Sequence, residues 1–166
     1  MAITDPWVEC FFVGALQMRC SVVTDRATGD TVIIDGGSEP GRLIDWIDRF
    51  GGRGPDWSNG PSSMDEAEQQ HIPERTVIAL VNTHAHFDHS GHIPDLLEHY
   101  RVKWYLHEDD TYLQTLAQSS ARRWGFDAPE PAVADAGLVP STIMSFGALD
   151  FEVLHTPGHT LGGCCL

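Results

Sequence analysis

Residues 83–91 read THAHFDHSG, which places three of the chain's nine histidines and an aspartate within six positions. Imidazole nitrogen and carboxylate oxygen are the ligands that zinc prefers, and a catalytic zinc keeps one of its positions for water. In extended backbone, residues two apart point to the same side, so His84 and His86 reach one point together. Asp88 and His89 come just after, where the chain turns toward Gly91, and reach a second point beside the first. Two imidazoles do not complete a site. The candidate third ligand is His159 in HTPGHT, residues 155–160, displayed at the end of the strand LDFEVL. Pro157 stiffens that loop and Gly158 permits a tight turn. A divalent ion held by three neutral imidazoles can lower the pKa of bound water from 15.7 to about 7, making hydroxide at neutral pH. Asp88 is the catalytic candidate, placed to orient that hydroxide or take its proton.

These residues need a scaffold, and the sequence sketches one of alternating strands and helices. WVECFFVG and RCSVVTD are rich in β-branched and aromatic residues and read as strands. TVIID is a third strand, joined to the second by the turn DRATGD. EPGRLIDWIDRF, residues 39–50, puts Leu43, Ile47 and Phe50 on one helical face, widened by Ile44 and Trp46. GGRGPDWSNGPSS is a Gly- and Pro-rich loop. SMDEAEQQ reads as a short solvated helix, with Ser63 and Glu66 spaced as a capping box. TVIALVN, nearly all apolar, is a strand buried on both faces that ends at the histidine cluster. A helix is expected over 90–100, a strand at VKWYL, and a helix over 108–124 with Leu113 and Leu116 inward. Residues 125–141 form a connection, and TIMSF and LDFEVLH are further strands.

Composition narrows the function. At 166 residues with 42% apolar and 20% charged content the chain is globular, of single-domain size. Its net charge of −14, from 10 basic and 24 acidic residues, opposes a nucleic-acid face and an anionic membrane surface alike. No apolar run approaches the roughly 20 residues of a membrane span. MAITDPWVEC lacks the basic-then-apolar order of a signal peptide, so a cytoplasmic protein is expected. Cys10, Cys20, Cys164 and Cys165 form no CxxC spacing and read as buried reduced thiols. His71, His99 and His107 read as ordinary surface or core histidines, as does His92 although it stands one helical turn beyond the cluster, and His155 as a residue shaping its loop. Asp35 reads as a carboxylate that holds the ligand loops.

The two histidine motifs together resemble a known family. THAHFDHSG resembles the THxHxDH signature of the metallo-β-lactamase superfamily. LHTPGHTLGG resembles its TPGHTPG motif, with Leu161 where proline is common. VGALQMRCSVVTDRATGDTVIIDGG, ending near Asp35, is similar to the opening strands of the glyoxalase II-like branch, and YLHEDD to its next strand-to-helix step. The resemblance implies one metallo-β-lactamase-like domain over 1–166, an αβ/βα sandwich. It implies that His84, His86 and His159 hold one ion, and that Asp88 and His89 contribute to a second. The cofactor expected is zinc, one or two ions, with iron or manganese as alternatives. Family members continue to a metal-bridging aspartate and a last histidine. None follows GGCCL here, so the expectation is an N-terminal part with the second half of the sandwich largely absent. The branch implies a small-molecule thioester as substrate, which suits a site without an obvious general acid because a thiolate leaves without protonation. Hydroxyacylglutathione hydrolase-like activity is therefore expected, feeble or lost if the chain is a fragment. An iron-dependent persulfide dioxygenase-like enzyme and a non-catalytic metal-binding fragment are the alternatives. The sequence leaves the oligomeric state open.

Overall fold

The computed structural model describes residues 6–50 and 74–166. The loop read over 51–63, the helix read over 63–70 and His71 lie outside the described residues. Six strands form one mixed sheet: β1 (Trp7–Val13), β2 (Met18–Thr24), β3 (Asp30–Ile34), β4 (Thr76–Val81), β5 (Lys103–Leu106) and β6 (Ala136–Gly137), paired in that order. The first two pairings are antiparallel, and β3, β4, β5 and β6 run parallel.

Strand alternation decides which side chains enter the core. In β1, Trp7, Glu9, Phe11 and Val13 point inward while Val8 and Phe12 stay exposed. Glu9 is fully buried, and such a carboxylate needs partners. It has them in Arg75, which also lies over the Trp7 ring at 4.3 Å, and in Trp46, whose Nε1 donates at 3.3 Å. β4 is buried along most of its length, as its apolar run demands.

Helices cover one face of the sheet. α1 (Pro40–Ile44) opens with proline in its first turn and continues as a π-helical turn over Asp45–Phe50. The helix read over 39–50 is therefore real in extent, with a change of helical type inside it. Leu43, Trp46 and Ile47 are buried by it. α2 (Phe87–Ser90) and α3 (Ile93–Tyr100) occupy the stretch read as one helix over 90–100. Helical backbone thus begins three residues earlier than expected, then breaks at His92 before Pro94. Proline fits the first turn of a new helix, where its missing N–H costs nothing.

A 3₁₀ turn, Glu108–Asp110, leads into α4 (Thr111–Arg123). Leu113 packs against the core as expected, but Leu116 is 46% exposed and the reading of it as inward is corrected. Gln114, Ala117 and Ala121 fill the inner face instead. Small alanines let α4 lie close, and the Gln114 amide oxygen accepts the Ala134 N–H at 3.2 Å.

The opposite face of the sheet carries two small antiparallel pairs. β7 (Ile143–Phe146) pairs with β8 (Leu149–Glu152), and β9 (Leu154–His155) with β10 (Cys164–Cys165). Phe146, Leu149, Val153 and Cys164 pack there against Val32, Ala79 and Val81. This layer is thin: Val139, Ile143, Leu154 and Leu161 remain exposed. The sheet is thus a layer of an αβ/βα architecture with one side amply covered and the other sparsely. The cysteines are free as expected, but Cys165 is exposed and Cys10 half-buried rather than buried. Among the described residues no helix is long and apolar enough to cross a membrane.

Candidate metal centre

Parallel strands β3, β4 and β5 end on one edge of the sheet, and the candidate site stands there. Just past β4, the fully buried Asn82 receives the Trp104 indole N–H at 2.9 Å. Its amide nitrogen donates to the His89 carbonyl at 2.6 Å. That side chain sets the path of the loop that carries four candidate ligands.

Asp35, just past β3, fixes the same loop from the other side. Its carboxylate accepts the Thr83 N–H at 2.8 Å and the Thr83 hydroxyl at 2.7 Å, and lies 3.2 Å from His89 Nδ1. Asp35 also has φ +58°, a backbone region that asparagine and aspartate tolerate better than bulkier residues. Gly37 follows, and the backbone passes so close to α2 that a Cβ there would sit 2.1 Å from the His89 carbonyl. Only glycine allows that approach.

The structure brings His84, His86 and His159 together, each offering one nitrogen, all three within 4.8 Å of one another. His86 Nδ1 and His159 Nε2 are 3.0 Å apart. His84 is nearly buried; its Nδ1 meets the Thr83 hydroxyl at 3.1 Å, while Nε2 is buried without a hydrogen-bond partner. Burial, together with the neighbouring His89, His86 and His159 rings, pushes the His84 pKa down to about 4, though Asp35 opposes this. His86 is lowered too, by burial first and then by His159. Both rings are therefore neutral at pH 7, the form that binds a metal. An orphaned buried nitrogen costs free energy unless a ligand satisfies it. Three converging imidazoles with one such nitrogen fit a divalent transition ion.

Asp88 and His89 stand beside this group rather than in it. His89 Nε2 is 3.7 Å from the Asp88 carboxylate, and the His84 and His89 rings are 3.9 Å apart between centroids. They offer two ligand groups next to the first three.

Sequence reading missed two residues that shape the site. One is Asn82. The other is Asp110, fully buried at the start of α4, whose carboxylate accepts the Ala85 N–H at 3.0 Å and the Gly162 N–H at 2.7 Å. It ties the loop of His84 and His86 to the loop of His159. The signal was present as an acidic run at a strand-to-helix step, but three acids in a row do not say which one faces inward.

Among the described residues, the remaining histidines are engaged by protein groups, His99 by the Asp48 carboxylate at 2.6 Å. His92 meets Asp95 at 2.9 Å and the Asp127 carbonyl at 3.2 Å. His155 Nε2 meets the Leu161 carbonyl at 2.9 Å, which shapes its loop. His107 is buried and accepts the Asp109 N–H at 3.2 Å. His107, Asp109 and His155 also have ligand atoms within 4.8 Å. The two rings there are stacked only 11° from parallel, however, so their in-plane lone pairs do not converge.

A family model for the metallo-beta-lactamase superfamily matches residues 13–166. The chain belongs to that superfamily. Its members are typically hydrolases. This metallo-β-lactamase-like chain is 28% identical to the hydroxyacylglutathione hydrolase GloC of Haemophilus influenzae, covering 93% of this chain and 63% of that protein. An uncharacterised Aquifex aeolicus protein is 29% identical over 93% of this chain and 61% of its own length. Among solved structures, TTHA1623 in a di-iron-bound form matches with TM-score 0.69 and 31% identity, over 93% of this chain and 64% of that one. The B3 metallo-beta-lactamase BLEG-1 matches with TM-score 0.70 and 24% identity over 95% of this chain and 65% of that one, which speaks to the fold alone. The chain thus spans less than two thirds of the length of these relatives.

Proposed function

We propose that the protein is a metal-dependent thioester hydrolase of the hydroxyacylglutathione hydrolase kind. The observation that carries this reading is the convergence of His84, His86 and His159 around a buried, unpartnered nitrogen. Similarity to a protein named hydroxyacylglutathione hydrolase supports the substrate class. A divalent ion, when bound, supplies Lewis acidity toward water and carbonyl oxygen. The chain's own residues hold and orient. Asp35 and Asn82 keep the His84–His89 loop in place, and Asp110 holds the His159 loop against it. Asp88 stands partly buried beside the cluster, where it accepts the proton of an attacking water. His89, braced by Asp35, stands with Asp88 as the start of a second ion site. Zinc is the expected metal, with iron or manganese as alternatives. The acidic surface favours a small-molecule substrate over nucleic acid. Four free cysteines support a reducing, cytoplasmic setting.

The second reading is an iron-dependent persulfide dioxygenase-like enzyme, for which the di-iron-bound form of the similar TTHA1623 supports iron as a metal but not the single-iron site such enzymes use. Elemental analysis of chelator-free protein, with thioester hydrolysis and oxygen-dependent persulfide consumption assayed side by side, separates the two. The expected result is near-stoichiometric zinc or iron, with thioester cleavage feeble in a chain that spans 63% of the similar hydrolase. Replacing both His84 and His86 by Ala should remove metal and activity together. Full metal content in that double variant overturns the ligand set.

A further inference from the structure

Beside Asp88 opens a half-enclosed cleft of about 190 Å³, bounded by the tip of the β1–β2 hairpin, α2 and the segment after α4. Its apolar lining comes from Leu16, Phe87, Ala121, Phe126 and Ala128. Phe87 and Phe126 stack with centroids 5.9 Å apart at 29°, and Trp124 extends that aromatic surface at 6.3 Å from Phe87.

Several polar groups on this lining are already committed, and the Asp88 and Asp127 carboxylates also border it. The Ser38 hydroxyl donates to the Asp88 carbonyl at 3.1 Å, and the Gly14 N–H donates to Glu39 at 2.8 Å. Glu39 is further engaged by Arg42 at 2.8 Å. Both His92 nitrogens are taken, by Asp95 and by the Asp127 carbonyl. A carboxylate entering here would face the Glu39, Asp88 and Asp127 carboxylates, whose like charge disfavours it. An apolar group meets no such repulsion. An apolar protein cavity of about 150 Å³ suffices to hold benzene, so this cleft is of the right size for a phenyl or branched alkyl group.

We propose that this cleft is the binding site for an uncharged apolar group of about benzene size, the acyl side of a substrate whose carbonyl lies at the histidine cluster. The link to an acyl group rests on the hydrolase reading; the binding of an apolar group does not. The cleft therefore favours arylacyl or branched acyl thioesters over small hydroxyacyl ones, which leave its apolar lining unfilled.

Two measurements on the zinc-loaded chain test this. In methyl NMR spectra, benzamide should shift the Ala121, Ala128 and Leu16 methyls and bind at least about tenfold more tightly than acetamide, which shares its amide but lacks the ring. Phe126→Ala should abolish that difference, while Phe126→Leu should restore most of it. In turnover, the phenylacetyl thioester of N-acetylcysteamine should exceed the lactoyl thioester in kcat/KM by at least about tenfold. Equal binding of benzamide and acetamide, or shifts confined to other methyls, overturns the site. Faster turnover of the lactoyl thioester overturns the acyl selectivity and leaves the hydrolase reading standing. Benzamide binding as described with no turnover of either thioester supports the cleft as an apolar site, which does not depend on the hydrolase reading.

Discussion

Replacing Asp110 tests whether the metal centre is assembled by a residue that touches no metal. The carboxylate is fully buried and accepts two backbone N–H groups, from Ala85 at 3.0 Å and Gly162 at 2.7 Å. A hydrogen bond to a charged group contributes about 1.5–3 kcal/mol. Asp110→Ala removes both and leaves two buried donors unpaired, so it should cost roughly 3–6 kcal/mol, enough to unfold many domains of ordinary stability. Asp110→Asn is the informative change. Its amide oxygen still accepts one N–H, while its NH₂ faces the other donor, so the cost should be roughly 1.5–3 kcal/mol. The loop freed carries either His84 and His86 or His159, and the three nitrogens lose their common focus. Loss of a residue that orients metal ligands typically lowers affinity about 10–100-fold. The assay is urea denaturation to rank stability, followed by chelator competition for zinc on the folded Asn variant. Asp109→Asn is the control, since Asp109 is half-exposed and its carboxylate joins no loops. Zinc affinity unchanged in a folded Asp110→Asn protein would refute the reasoning.

Two further outcomes follow from the same geometry. In metal-free protein, His84 titrates at about 4 when folded and at its ordinary 6.5 when unfolded. Between those values the unfolded chain binds more protons, so stability should fall as pH drops from 6.5 toward 4 and then level off; a urea midpoint flat across that window would show that His84 titrates normally. Gly37→Ala would drive a methyl to 2.1 Å from the His89 carbonyl and 2.4 Å from the Ser90 nitrogen. It should cost about 1–3 kcal/mol or more and reduce metal stoichiometry; an unchanged melting temperature and full metal content would show that α2 yields easily.

Much of this arrangement is legible in the sequence because it is local. Alternation in WVECFFV and the continuous apolar run TVIALV give strands within a residue of their ends. The histidine spacing brings His84 to His86, and the strand-end position of His159 marks it as a partner. What is not local is not legible. Leu116 looks inward on periodicity, yet α4 turns its alanine face to the core because a close approach to α2 favours small residues. Helical backbone begins at Phe87 rather than at 90 because the loop must turn immediately past His86 to place Asp88 and His89. Asp110 lies 25 residues from Ala85 and 52 from Gly162. No periodicity spans such distances, and one acid among Glu108, Asp109 and Asp110 cannot be chosen without the packing.

The position of the site explains why so much of its support is polar and buried. Strands β3, β4 and β5 are parallel and finish on the same edge, where ligands of open α/β sheets commonly lie. Past each strand stands a side chain that bonds to backbone elsewhere: Asp35 after β3, Asn82 after β4, and Asp110 a short turn after β5. Each is nearly or fully buried. Each acts on the loop from His84 to His89, and Asp110 acts on the His159 loop as well. Such groups are costly to bury unless fully bonded, so they specify one loop conformation and penalise others. His84 and His86 are poor companions without an ion, because burial and neighbouring imidazoles both disfavour their charged forms. The scaffold thus holds together groups that would otherwise separate, and binding of a divalent ion offsets that cost. Metal affinity should therefore respond to Asp35, Asn82 and Asp110 as well as to the histidines themselves.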